Sequence, residues 1–182
     1  MVLRPAERIP ICHAARDTIT LHSSLFTFLF WEAFMNQSES MTAALALARE
    51  AYAAGEVPVG CVVTDAEGKV IGRGRNRREE NGDATAHAEI EAIREACKAL
   101  GDWRLEGCTL TVTLEPCPMC AGAIINARIP TVVYGAKEPI SGSCGSVIDL
   151  FFERYGHHPT VYAGVLEQDC AGLLRDFFAK KR

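Results

Sequence analysis

Residues 85–89 read Thr-Ala-His-Ala-Glu, and residues 114–123 read Leu-Glu-Pro-Cys-Pro-Met-Cys-Ala-Gly-Ala. Between them these stretches offer one imidazole, His87, and two thiols, Cys117 and Cys120. One zinc ion can take all three and keep its fourth tetrahedral position free for water, which is the pattern of a catalytic rather than a structural site. Glu89, two residues from the imidazole, is a carboxylate that can move that water's protons. A lone CxxC also suits a redox pair or half of a structural zinc site. The structural reading needs a second CxxC or a distant pair of histidines, and the chain supplies neither. Cys12, Cys61, Cys97, Cys108, Cys144 and Cys170 stand singly, and the remaining histidines are His13, His22, His157 and His158.

The local pattern says how these groups are held. Pro116 suits the first turn of a helix, where its missing N–H costs nothing, and the apolar run Cys117–Ile125 continues that helix. Both thiols then lie near a helix N-terminus, which favours thiolate, and their i, i+3 spacing puts them on one face. His87 and Glu89 are only two apart and diverge around a regular helix, so they must occupy its first turn, end-on to a pocket. Asp83 or Thr85 is the expected N-cap, Ile90, Ile93, Cys97 and Leu100 the expected buried stripe, and Glu91, Arg94, Glu95 and Lys98 the solvated face.

Working outward, Ser40 is expected to cap a helix running to about Ala54, with Leu45, Leu47, Ala48 and Tyr52 turned partly inward and Gly55 ending it. Val57–Thr64 and Val70–Arg77 read as a hairpin around Asp65–Gly68. Strands are expected near Leu110–Thr113, Thr131–Tyr134 and Val161–Val165. The glycine- and serine-rich segment 141–146 leads to a short helix near Val147–Tyr155, and a final helix starts at about Gln168. Five strands interleaved with helices predict an α/β fold, a three-layer α/β/α sandwich whose five-stranded mixed sheet starts from an antiparallel hairpin.

Composition bounds this reading. A chain of 182 residues, 48% hydrophobic, builds one sizeable core. Its eight cysteines lack regular pairing, and with no convincing export signal they point to a reducing cytoplasm. No uninterrupted apolar stretch approaches the ~20 residues of a membrane span. The formal net charge of −4 does not suggest nucleic acid, so any RNA contact must come from local basic patches. Residues 1–34 stand apart: the apolar run Leu25–Phe34 is broken by Glu32, follows Arg4, Arg8 and Arg16, and lacks a small-residue cleavage site, which makes a poor signal peptide. They are expected to be a poorly ordered extension ahead of a catalytic domain at residues 35–182, the alternative being an extra helix that caps the domain.

HxE followed by PCxxC is the signature of zinc nucleobase deaminases. Together with EVPVG at 56–60, Asn76-Arg77, GSCGS at 142–146 and CAGLLRDFF at 170–178, the chain over roughly residues 40–180 resembles the tRNA-specific adenosine deaminases of the bacterial TadA type. TAHAE and PCxxC alone belong to the whole cytidine-deaminase-like superfamily, and the flanking blocks narrow the match. The resemblance implies hydrolytic conversion of adenosine to inosine at the first anticodon position of a tRNA, one zinc per subunit and a homodimer. It implies His87, Cys117 and Cys120 as ligands and Glu89 as a proton shuttle that does not bind the metal. Asn76 matches the position that contacts the target nucleoside, although it also reads as a turn residue after a strand. The backbone of Ala88 and Pro116 would line the base pocket. Glu56 and Pro58 match a pocket-edge motif, although Gly55-Glu56 equally suits a helix-ending turn.

Two positions depart from the family pattern. Glu138 stands where the family usually has Asp near the nucleotide's ribose, and one extra methylene moves that acceptor. Ala84 replaces the usual Pro before Thr85. Arg73, Arg75 and Arg77 share one face of a predicted strand and, with Arg78, read as a phosphate-contacting patch or as a charged edge strand. Phe178 with Phe177, Lys180, Lys181 and Arg182 can stack bases and hold phosphates, or dock a terminal helix. Two other functions compete: a deaminase of a free nucleobase or nucleoside of the cytosine or guanine type, which the acidic composition favours, and a non-catalytic zinc- or RNA-binding partner subunit, which the intact Glu89 opposes.

Overall fold

The computed structural model describes residues 37–181. The extension expected over residues 1–34 lies outside the described residues. A helix, α1, occupies residues 37–53. It is followed by β1 (Gly60–Thr64), β2 (Val70–Arg75), the single turn α2 (Arg78–Asn81), α3 (Ala88–Leu100), β3 (Thr109–Leu114), α4 (Pro118–Asn126), β4 (Thr131–Ala136), β5 (Thr160–Ala163) and α5 (Glu167–Lys180). The sheet order is β2-β1-β3-β4-β5. β1 pairs antiparallel with β2 and with β3, whereas β3, β4 and β5 run parallel. This is the expected five-stranded mixed sheet.

Strand alternation sorts the core into two layers. Cys61, Val63, Leu110, Val112, Val132 and Tyr134 pack with Ala92, Ile93, Ala121 and Ile124 of α3 and α4. On the other face Val133 and Ala136 meet Met41, Ala44 and Leu45 of α1 and Cys170 of α5. The α/β/α sandwich follows, with helices covering both faces of the sheet; the central strand β3 is apolar on the α3/α4 side and turns Thr109, Thr111 and Thr113 to the other.

Of the stripe expected to be buried on α3, Ile93 alone is buried. Ala88, Ala92 and Ala96 are fully buried with Ile93, while Ile90 and Cys97 are half-buried and Leu100 is 46% exposed. The reason lies across the interface in β2. A Cβ on Gly74 would meet the Ala88 carbonyl oxygen and, at 2.6 Å, the Ala92 nitrogen, and Gly72 faces Ala92 and Ala96 in the same way. The helix backbone lies directly on a glycine stripe, so only its smallest side chains fit between.

Other boundaries also move. Helix α1 is already formed at residue 37, so Ser40 is an inward-facing helical residue and not the N-cap. The hairpin strands are shorter than expected, and Val57–Val59 and Asn76–Arg77 continue beyond the ladder as loop. The helix expected near Val147–Tyr155 shrinks to one 3₁₀ turn, Leu150–Phe152, where Asp149 accepts from the Phe151 N–H at 3.1 Å. β5 stops at Ala163, and Gly164, with φ of 83°, turns the chain so that Val165 enters the core beside α5.

Candidate metal centre and active site

Two helix starts converge on the site. The C-terminal end of β3 delivers Glu115-Pro116-Cys117 to α4, with Cys117 as N-cap and Pro118 just inside the helix. Pro118, not Pro116, therefore occupies the first-turn position where a missing N–H is harmless. The Pro116 carbonyl instead accepts from the Ser143 N–H at 2.9 Å. On α3 the N-cap is His87, with extended backbone and no side-chain cap bond. The expected cap, Asp83, folds its own turn by accepting from the Thr85 N–H and hydroxyl, both at 2.7 Å. The His87 ring is thereby free to point at the thiols.

His87 Nδ1 lies 3.7 Å from Cys117 Sγ and 3.6 Å from Cys120 Sγ. The three ligating atoms all fall within 4.8 Å of one another. Bonds of about 2.0 Å to nitrogen and 2.3 Å to sulfur at tetrahedral angles set N···S near ~3.5 Å, so the triangle fits zinc. Protonation tells the same story. A hydrogen bond from Cys120 drives the Cys117 thiol down to about 4, that same contact and burial push Cys120 up, and the bond to Cys117 raises His87. Two sulfurs and an imidazole crowded here share protons whose place a divalent cation would take.

Glu89 lies in the first turn of α3, as expected, and is 3% exposed. Burial pushes its carboxyl up to about 6, and Oε2 has no hydrogen-bond partner. It stands outside the ligating triangle. A buried carboxylate oxygen with no partner costs stability unless something in the cleft uses it.

A cleft of about 240 Å³ opens over this centre, and His87, Cys117, Glu89, Ala88, Asn76, Glu138 and Phe178 all border it. Among these, Asn76 is oriented by its neighbour. Its Nδ2 donates to Glu56 Oε2 at 3.5 Å, and Glu56 also accepts from the Glu80 N–H at 2.8 Å. Since a carboxylate can only accept, the Asn76 amide must present Oδ1 on its other side, and that buried oxygen has no partner. Glu56 thus sits behind Asn76 instead of forming the pocket edge, and Pro58 and Pro116 are likewise buried outside the lining.

The basic residues divide. Arg73, Arg75 and Arg77 do share one face, opposite Gly72 and Gly74, but they border a separate surface depression with Arg94 and Lys98. Arg75 and Arg77 both pair with Glu80, at 2.8 and 3.1 Å. Arg78 borders the cleft itself. Phe177 docks edge-on against Tyr52 with ring centroids 5.6 Å apart, whereas Phe178 is 50% exposed at the cleft mouth. Lys180 lies over the Tyr52 ring, and Lys181 donates to the Gly55 carbonyl at 3.2 Å.

Sequence reasoning missed Glu115. Its carboxylate accepts from the N–H groups of Glu138, Cys144 and Ser146 at 3.1, 3.0 and 3.0 Å and from the Ser146 hydroxyl. Burial alone would raise its pKa, but these bonds hold it below the ordinary value. The residue lies inside a quoted motif, yet nothing local in the sequence announces partners 23 to 31 residues away.

A three-layer α/β/α sandwich that brings a His-Cys-Cys triangle beside a buried carboxylate defines a zinc-dependent deaminase of the cytidine-deaminase type. Residues 35–136 match the zinc-binding region of cytidine and deoxycytidylate deaminases. The tRNA-specific adenosine deaminase of Bacillus subtilis is 49% identical over 150 residues, covering 81% of this chain and 92% of that protein. A structure from a study of A-to-I editing by tRNA:A34 deaminases at the wobble position of transfer RNA superposes with a TM-score of 0.72 at 48% identity, covering 75% of this chain and 99% of that one. The tRNA(Ile)-lysidine synthase of Deinococcus radiodurans is 52% identical over 143 residues, and there the chain spans only 25% of the relative's length. The chain belongs to the cytidine and deoxycytidylate deaminase family and, within it, to the tRNA-specific adenosine deaminases.

Proposed function

We propose that this protein deaminates adenosine to inosine at the first anticodon position of a tRNA. The observation that carries the reading is the unpartnered Glu89 oxygen beside the His87-Cys117-Cys120 triangle, at the floor of a cleft into which Asn76 presents an acceptor. Relatives named for this activity match nearly the full length of their own chains, which supports the substrate.

His87, Cys117 and Cys120 hold zinc, which when bound makes a water nucleophilic at neutral pH. Glu89 takes a proton from the attacking water and passes it to N1 of the purine ring as the bond to C6 forms, then takes a second proton from the new C6 hydroxyl and gives it to the departing amine. Water and adenosine become inosine and ammonia, and the carboxylate is regenerated. The Asn76 Oδ1 accepts from a donor on the flipped nucleoside, and Ala88 lends its backbone to the pocket wall. Glu138 remains the candidate ribose contact. Exposed Phe178 at the mouth suits stacking by a flanking base, and Arg78 a phosphate. Arg73, Arg75 and Arg77 would serve a more distant stretch of backbone. The local partners of Lys180 and Lys181 favour a docking role for the helix end.

The catalytic domain is residues 35–182, a reading supported by the family match starting at residue 35 and by every site residue lying beyond it. The protein works as a homodimer. In support, the segment between β4 and β5 exposes Ile140 at 86% and Phe152 at 88%, with Val147, Ile148 and Tyr155. Cytoplasmic location is supported by the free cysteines, and no helix of the described residues is long and apolar enough to cross a membrane.

The test is incubation with a panel of anticodon stem-loops beside free adenine, cytosine and guanine nucleosides and bases, with products read by mass spectrometry. Inosine should form only in stem-loops carrying A at the first anticodon position. Turnover of free cytosine or guanine with no inosine in any stem-loop would overturn the assignment.

A further inference from the structure

Glu115 borders the cleft without belonging to the metal triangle; it is 2% exposed, and its carboxylate binds four donors of the segment 138–146. One oxygen, Oε1, takes the N–H groups of Cys144 and Ser146, and the other, Oε2, takes the Glu138 N–H and the Ser146 hydroxyl. The contact is fitted from the loop side as well: a Cβ on Gly142 would meet the Glu115 carboxylate at 2.6 Å and the Glu138 carbonyl. The loop so gathered, residues 138–146, places Glu138 and Ser141 on the cleft. Glu115 itself stands between β3 and Cys117, on the rigid side. Beside the backbone bond from the Ser143 N–H to the Pro116 carbonyl at 2.9 Å, these side-chain bonds tie the segment to the element that carries a metal ligand.

We propose that Glu115 is a positioning residue that holds the 138–146 wall against the start of α4 and so sets the binding of the substrate nucleotide. Each donor needs an acceptor, and only a carboxylate of this length offers enough lone pairs for all of them. An amide cannot substitute. Placed at the Oε1 position, its NH₂ would face two N–H groups. Placed at Oε2, it could donate to the Ser146 oxygen but would still strand the Glu138 N–H. Aspartate is one methylene too short to reach.

Glu115→Gln is the direct test, and the kinetic part rests on the tRNA reading above. The variant should keep one zinc per chain. Hydrogen exchange of the free protein, which needs no substrate, should quicken in residues 138–148 and stay unchanged in α3 and β1. On a stem-loop that the unmodified protein deaminates, KM should rise about 10-fold or more while kcat changes much less, because an interaction common to bound and transition states is lost. Gly142→Ala perturbs the same contact from the loop without touching Glu115 and should move exchange and KM in the same directions. Loss of zinc in Glu115→Gln, a fall in kcat at unchanged KM, or exchange in the loop equal to that of the unmodified protein would each overturn the proposal. Inactivity of the unmodified protein on every stem-loop would instead count against the substrate, leaving the exchange comparison to decide the role of Glu115.

Discussion

Replacing Glu89 by glutamine separates proton transfer from metal binding and folding. The amide keeps the volume of a side chain that is 3% exposed, and the lost carboxylate oxygen, Oε2, has no hydrogen-bond partner to strand. The metal ligands His87, Cys117 and Cys120 are untouched. Glutamine also removes a desolvated charge, so the melting temperature should stay level or rise. Turnover is another matter. A positioned acid–base group supplies typically ~10²–10⁴-fold, equivalent to about 3–5 kcal/mol of barrier at 1.36 kcal/mol per tenfold. The expected result is therefore one zinc per chain by metal analysis, an unchanged KM on an anticodon stem-loop, and kcat lower by about 100-fold or more. Activity above a tenth of the original would refute the proton-shuttle role. So would loss of zinc, which would make Glu89 a ligand or a structural strut.

Cys117→Ala should behave in the opposite way, because it deletes a ligand from a centre whose assembly is coupled to folding: zinc content, melting temperature and activity should all fall, and a chelator should add little further loss. Two alanine substitutions should have opposite signs. Gly74→Ala drives a Cβ into the Ala88 carbonyl and should cost about 1–3 kcal/mol while displacing the start of α3 and its His87. Gly122→Ala, inside α4 with nothing within 4 Å of the added carbon, should stabilise by about 0.5–1 kcal/mol. Thermal melts of the two variants side by side check both.

What could be read from the chain depended on how far apart the interacting groups lie along it. The ligand triangle was legible because each half is local: two thiols at i, i+3 at a helix start, and an imidazole whose neighbour at i+2 cannot share its helical face. The sheet was legible because strand alternation and turn residues are also local signals. Failures begin where a residue's role is set by a partner elsewhere. The hydrophobicity of α3 singles out Ile90, Cys97 and Leu100, but the face it buries is chosen by Gly72 and Gly74 on a strand that precedes it, which admit only Ala88, Ala92 and Ala96. Arg75 and Arg77 read as a free basic group until Glu80 folds back on them.

The same limit explains the caps. Asp83 and Thr85 are the better N-cap residues by chemistry, and they do bond to each other, but the helix start falls at His87. An N-cap side chain normally turns back to satisfy its own helix. Here both cap positions beside the metal site, His87 and Cys117, make no such bond. Each instead aims its side chain across at the other helix, 3.7 Å from nitrogen to sulfur. Two helix starts are left uncapped by side chains so that their first residues can serve one metal. Capping propensity therefore misplaces the start of α3, and the preference of proline for a first turn sets α4 two residues early.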